Sequence, residues 1–334
     1  MTRALLVKMS SLGDVVHALP AVTDAAEQGI TFDWVVEEGF APVAALHPGV
    51  RAVLPVAWRR WRKNLAASRE AMQRFWQRLR EERYDVVLDS QGLIKSAAVS
   101  RMASGVVRAG FSRDCAREGA SAWIHNKSVY VPRDLHAIDR QRRLFASVFG
   151  YEQPQGMSYG IGRQSQIDTR TVLVLHGTTW QSKHFPESSW REIVTAARQD
   201  GFAVYVAHGT SEEERRAGQL QSVGANVLPR MALGELIEKM AAMAVIIGVD
   251  SGLAHIAAAL DRPVIGLYGP TDPTLTGIRG RHVQNLVSTL SCAPCRKDVC
   301  SHPDRRTALV DPPCFAELTA TQVWQRARAV AGLI

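Results

Sequence analysis

ALLVK at residues 4–8 runs straight into MSSLGDVVHALPAVTDAAE at 9–27, and this stretch decides the fold. The first piece is a short apolar run of the kind a strand buried on both faces requires. Ser10, Ser11 and Gly13 suit a tight turn, and Val15, Leu19 and Val22 then recur at helical spacing. Strand, Gly-containing turn and helix open a doubly wound α/β domain. FDWVVEE (32–38) and YDVVLDS (84–90) read as further strands, with an Arg-rich helical stretch at 65–83 between them. QGLIKSAAVSRMAS (91–104) opens another helix. Residues 151–170 lack periodicity and carry Pro154 and several glycines, which reads as a linker.

The pattern then restarts. TVLVLHG (171–177), FAVYVAHG (202–209), AVIIGVD (244–250) and PVIGLYG (263–269) are strands. They alternate with the helical PESSWREIVTAARQ, SEEERRAGQL and SGLAHIAAAL. Two parallel sheets follow, and the simplest architecture is two Rossmann-like domains facing each other across a cleft. Ligands of such sheets bind at the carboxyl ends of strands, so the turns after the strands are where chemistry is expected.

Composition narrows the class. Of 334 residues, 46% are hydrophobic and 22% charged, as in globular proteins rather than disordered chains. The best apolar run, Met240 to Val249, is about half the ~18 residues a membrane span needs. The N-terminus reaches Gly13-Asp14 too early for a secretory signal, and five cysteines do not make a disulfide scaffold. A soluble cytoplasmic protein is expected. The net charge of +8 is uneven: residues 1–150 hold 22 basic and 15 acidic residues, the remainder 18 and 17. Ten of the basic residues fall within 51–83. An anionic partner is therefore expected on the first half: nucleic acid, an anionic lipid surface or a phosphorylated sugar.

Four turns and one tail are candidates. Asp14, just past the first strand, reads equally as a helix cap or as a general base, with Gly13 allowing close approach of a substrate. The turn lacks GxGxxG spacing, so no dinucleotide fingerprint is present. His176 to Pro186 carries Thr178, Thr179 and Lys183, suited to a diphosphate, although a solvated lysine is the blander alternative. Asp250-Ser251-Gly252 opens an apolar helix whose free amides suit phosphate, with His255 one turn on; Asp250 as N-cap and His255 as a core histidine remain open. Glu212 suits ribose hydroxyls, or is one member of a solvated first turn. Trp58-Arg59-Arg60-Trp61-Arg62-Lys63 suits a membrane headgroup surface, a phosphorylated glycolipid or stacked single-stranded nucleic acid. Lys95, Arg117, His136, Arg140 and Arg143 extend that surface if their loops converge. Cys292, Cys295, Cys300 and Cys314 match a zinc site in number but not in standard spacing; reduced, unliganded thiols are the favoured reading.

Seven segments in order then resemble one family: VKMSSLGDVVHALPAVTDA, FDWVVEEGF, RRWRK (59–63), DSQGLIKSA (89–97), AREG (116–119), TTWQSKHFPESSWRE (178–192) and VDSGLAHIAAALDRPVIGLYGPTDP (249–273). They resemble the ADP-heptose:lipopolysaccharide heptosyltransferases, glycosyltransferase family 9, and within it the type I branch. The resemblance implies the GT-B fold. A first domain (1–155) takes Kdo attached to lipid A, a second (165–317) takes ADP-heptose, and a last helix (about 318–334) packs back on the first. It implies inverting transfer with Asp14 as base and no metal on the diphosphate, so no cofactor is expected. Donor contacts fall on Thr178, Thr179, Lys183, Glu212, Met231, Asp250, Ser251, Gly252 and His255. The acceptor side falls on Ser10, Gly13, Arg59, Arg60, Arg62, Lys63, Lys95, Arg117, His136, Arg140 and Arg143. Peripheral contact with the cytoplasmic face of the inner membrane is implied as well. Ser251 stands where the family pattern has threonine, Phe185 where it has tryptophan, and the cysteine tail departs from the type I pattern. A type II or III heptosyltransferase is the alternative. A nucleic-acid-binding protein would leave the Asp14, Lys183 and Asp250 turns unused.

Overall fold

The computed structural model describes residues 2–162, 166–306, 308 and 310–333. It divides into two compact units, one ending at Ile161 and the other beginning at Gly162.

The first unit runs β1 (Thr2–Val7), α1 (Leu12–Glu27), β2 (Ile30–Glu37), α2 (Ala41–Ala45), β3 (Val50–Val56), α3 (Trp58–Trp61), α4 (Leu65–Glu81), β4 (Arg83–Asp89), α5 (Ile94–Met102), β5 (Ser104–Phe111), β6 (Lys127–Val129) and α6 (Ala137–Phe149). Its six parallel strands are ordered β3-β2-β1-β4-β5-β6. Leu5, Leu6 and Val7 of the central strand are completely buried, which is why that segment reads as unbroken apolar sequence. Pro55 lies on the edge strand β3, where a missing N–H costs no ladder bond on the open side. Gly150 closes α6 in the left-handed conformation, φ 76°.

The second unit runs β7 (Asp168–Leu175), α7 (Glu187–Gln199), β8 (Ala203–Val206), α8 (Ser211–Gln221), β9 (Asn226–Val227), α9 (Leu233–Ala241), β10 (Met243–Val249), α10 (Gly252–Ala259), β11 (Val264–Tyr268), α11 (Pro273–Thr276), β12 (Val283–Val287) and α12 (Ala320–Val330). Its parallel order is β12-β11-β10-β7-β8-β9. Both sheets thus have the doubly wound order 3-2-1-4-5-6. In each, the strand order reverses where two neighbouring strands send their chains to opposite sides: at β1/β4 and at β7/β10. The expected two Rossmann-like domains of the GT-B fold are present.

One expectation is corrected. The last helix, α12, packs within the second unit, on α7 and on the sheet at β10, β11 and β12. Its apolar stripe of Val323, Trp324 and Ala327 joins that unit's core. Trp324 meets Phe202 edge-on at 5.2 Å and donates its indole N–H to Asp200 at 2.8 Å, so the surface that attracts it belongs to its own domain. The linker segment 151–167 carries no helix or strand among its described residues; positions 163–165 lie outside them. No helix among the described residues is long and apolar enough to cross a membrane.

Candidate active site

The switch point of the first sheet brings together the turns after β1 and β4. Ser11 is the N-cap of α1 and Asp14 stands at its third position. Asp14 Oδ2 accepts from the Ser11 N–H (2.9 Å) and from the Ser11 hydroxyl (2.8 Å). The capping role is therefore real, but it uses only one carboxylate oxygen. Oδ1 stands 3.7 Å from the ammonium of Lys8, a residue the sequence reading passed over as the end of a strand. Burial alone raises the Asp14 pKa. Lys8, the two Ser11 hydrogen bonds and Arg117 outweigh it, and the net pKa lies below the ordinary 3.8. Gln91 fastens the turn from the other strand: its Oε1 accepts from Met9 N–H (2.7 Å) and its amide nitrogen donates to the Ser10 carbonyl. Lys95 donates to the Ser10 hydroxyl at 3.2 Å. Asp89 and Gln91, missed in the sequence, were visible only as the start of a polar DSQG turn.

The basic residues differ in their surroundings. Arg140 reaches Cys115 O (2.9 Å) and lies over the Phe111 ring, and its guanidinium is close enough to Asp14 to interact electrostatically. Arg117 is exposed and acts on both Lys8 and Asp14. Arg60 forms a two-bonded pair with Glu38 (3.1 and 2.9 Å), and Arg59 lies over Phe40. Arg62 and Lys63 are exposed. Trp61 is corrected from a headgroup-facing ring to a core residue: it is buried against Phe75, ring centroids 5.5 Å apart. The Trp/Arg alternation is simply a short amphipathic helix. His136 caps α6, its Nδ1 accepting from Ile138 N–H at 3.2 Å, and is buried beside His17. Arg143 lines a groove with Ser147 and Tyr151.

The second switch point pairs the turn after β7 with that after β10. Lys183 donates to Asp250 Oδ2 at 2.7 Å and sits over the Trp180 ring. His255 Nε2 is 3.7 Å from the other Asp250 oxygen. Burial would raise the Asp250 pKa, but His255 and Lys183 hold it well below the usual carboxylate range. Ser251, not Asp250, is the N-cap of α10, and its hydroxyl is buried with no hydrogen-bond partner among the described residues. Gly252 opens the helix behind it. Thr178 and Met231 are half-buried and Thr179 is exposed. Glu212 is exposed and 3.9 Å from Arg216. Its neighbour Glu213 is the one turned inward: it accepts from Gly209 N–H at 2.7 Å and its carboxylate lies against Gly177. His176, at the end of β7, is pushed down to about 4, chiefly by burial and then by Arg216.

The four tail cysteines line one narrow cavity with His302. All are free thiols, and the Cys314 thiol is pushed up to about 12 by burial and by its thiol neighbours. Among the described residues, no group of three or more His, Cys, Asp or Glu is arranged to hold a metal ion.

Comparison with known proteins identifies the family. The model of glycosyltransferase family 9 (heptosyltransferase) matches residues 72–305. The chain is 44% identical to lipopolysaccharide heptosyltransferase 1 of Pseudomonas aeruginosa, over 96% of each protein. It is 43% identical to the Escherichia coli K12 protein of the same name, over 84% of this chain and 92% of that one. The solved E. coli heptosyltransferase WaaC with ADP matches at TM-score 0.81 and 40% identity, covering 85% of this chain and 92% of that one. The WaaC structure with ADP-2-deoxy-2-fluoro heptose matches at 0.80 and 36%, covering 97% and 98%. With two doubly wound domains and this degree of identity over nearly its whole length, the chain belongs to glycosyltransferase family 9.

Proposed function

We propose that the enzyme transfers heptose from ADP-heptose to Kdo of the lipid A inner core, by a single inverting displacement, in lipopolysaccharide core biosynthesis. The observation that carries the reading is the chemistry at the two switch points. One holds a carboxylate with an oxygen left open, and the other a lysine beside a helix N-terminus.

Asp14 Oδ1 takes the proton of the acceptor hydroxyl as its oxygen attacks the anomeric carbon. The bond from that carbon to the diphosphate oxygen breaks, and ADP leaves with the electron pair. Lys183 and the amides at the start of α10 offset the charge that gathers on the departing diphosphate. Asp250 keeps Lys183 in place. The unpartnered Ser251 hydroxyl supplies a further hydrogen bond to a phosphate oxygen. Thr178 and Thr179 line the same turn, and Glu213 joins Glu212 as a ribose-contact candidate. Neither zinc nor another resident cofactor is needed, and the tail thiols take no part.

The exposed Arg62, Lys63 and Arg117, with Lys95, meet the anionic acceptor where it lies in the cytoplasmic leaflet. Each such cation near an anionic surface contributes about 1 kcal/mol. Transfer from ADP-heptose to Kdo-lipid A by the purified enzyme, beside its Asp14→Asn variant, tests the whole reading. Turnover by the wild type and a loss of about 10²–10⁴ in the folded variant is expected. An inactive wild type that turns over on a heptosylated core would assign it to the type II or III reaction instead.

A further inference from the structure

Lys8 is buried at the centre of the first sheet's carboxyl edge. Its backbone is pinned by Val35 O (3.2 Å) and by the Trp34 indole N–H (3.0 Å), and its ammonium donates to Ser90 O at 3.3 Å. A buried ammonium is costly unless a partner balances it. Two carboxylates are near. Asp89 is engaged at both oxygens, Oδ1 by the Gln91 and Gly92 N–H groups and Oδ2 by the Ser96 hydroxyl, with His125 Nε2 3.7 Å from Oδ2. Asp14 is not. Its Oδ2 is taken by Ser11, while Oδ1 faces Lys8 at 3.7 Å, close enough for attraction and too far for a direct hydrogen bond.

We propose that Lys8 is the positioning residue of the reaction: it holds Asp14 ionised and leaves the Asp14 Oδ1 lone pairs open to the acceptor hydroxyl. This rests on the reading of Asp14 as the base. Lys8 itself neither gives nor takes the proton, which passes from the acceptor hydroxyl to Asp14 Oδ1. The groups around the pair are mixed in sign. Asp14 and Asp89 favour the Lys8 ammonium, while burial, Arg140 and Arg117 oppose it, and its pKa is lowered overall. On Asp14, the Lys8 charge is the largest single influence opposing burial, ahead of either Ser11 hydrogen bond and of Arg117. Without Lys8 the burial effect has less to oppose it and the Asp14 pKa rises.

The test is the pH profile of kcat and kcat/KM for wild type, Lys8→Met and Lys8→Gln, using ADP-heptose and Kdo-lipid A. Asp14→Asn runs alongside, and folding is checked by circular dichroism. In both Lys8 variants the acid limb moves up by about 1–3 pH units. Activity recovers at high pH, and KM for ADP-heptose stays as in the wild type. A uniform fall at every pH with an unmoved limb would make Lys8 a structural residue only and overturn the proposal. An Asp14→Asn enzyme that keeps its activity would instead overturn the base reading. If neither Lys8 variant folds, carboxyl-carbon NMR of Asp14 in the unliganded wild type decides. Titration below the ordinary carboxylate range supports the pairing, and titration at or above it refutes it.

Discussion

The Lys183 ammonium and the Asp250 carboxylate meet at 2.7 Å, tying the turn after β7 to the carboxyl end of β10. Both side chains are mostly buried, 17% and 8% exposed, so neither charge is hydrated well enough to stand alone. Lys183→Met leaves Asp250 buried with only His255 against it. The variant should lose both the cation proposed to meet the diphosphate and stability, the latter by about 3–5 kcal/mol. Lys183→Met/Asp250→Asn should regain much of that stability and none of the activity. Urea melts alongside ADP titration separate the two effects; stability that stays low in the double variant would show that the pair is not its source.

A second buried pair stabilises the first unit away from the chemistry. Arg142 of α6 donates to both oxygens of Asp24 of α1, at 2.6 and 3.2 Å, and also to the carbonyls of Pro154 and Gly156. One guanidinium thus anchors α1, α6 and the chain that follows α6. Asp24→Asn should cost about 3–5 kcal/mol in urea unfolding while leaving kcat at low temperature near wild type. A fall in kcat with unchanged stability would contradict this assignment.

The terminal helix gives a third expectation. Trp324 is buried against Phe202 and bonded to Asp200. Trp324→Ala should destabilise the second unit by about 3–5 kcal/mol. Because α12 belongs to the unit proposed to take the ADP-sugar, ADP should protect against the loss, and a calorimetric scan with and without ADP measures it. A melt in which ADP gives the variant no protection would argue against this placement.

The parts of the fold that were readable from sequence are those in which burial acts on every residue of a strand. β1, β10 and β11 are covered on both faces and show as continuous apolar runs. β3 and β5 did not show, because most of their residues are only partly buried or exposed and Pro55 breaks the pattern of a strand that only an edge position tolerates. For α12 the amphipathic spacing showed that it packs, but not on which domain, since any apolar surface satisfies the same periodicity. The turns at Asp14, Lys183 and Asp250 stood out because each sets a charged residue in or beside the turn between an apolar strand and the next helix. Lys8 did not, because it reads as the last residue of the ALLVK run. Glu213 could not be told from Glu212 because adjacent acids in a first turn differ only by helix phase, and the depth of Trp61 depended on Phe75 fourteen residues away.

Acid should weaken the first unit through His47. Its Nδ1 accepts from Gly49 N–H at 2.9 Å, so Nδ1 carries no proton and the ring meets Thr23 Oγ1 through Nε2, also at 2.9 Å. Burial depresses its pKa from 6.5 to about 4. Between those values the unfolded chain binds a proton that the folded one does not, so stability rises with pH across the window and falls on acidification. Above about 6.5 the neutral His47 ring costs nothing. By the time the pH has dropped through about 4, His47 alone has removed roughly 3 kcal/mol, and there the folded ring protonates at the expense of the Gly49 bond. His47→Gln keeps hydrogen-bonding capacity without a titrating group, so its urea midpoint should change less between pH 7 and pH 5 than the wild type's. Equal slopes for the two proteins would place the acid sensitivity elsewhere, with buried His176 of the second unit, also lowered to about 4, the next residue to replace.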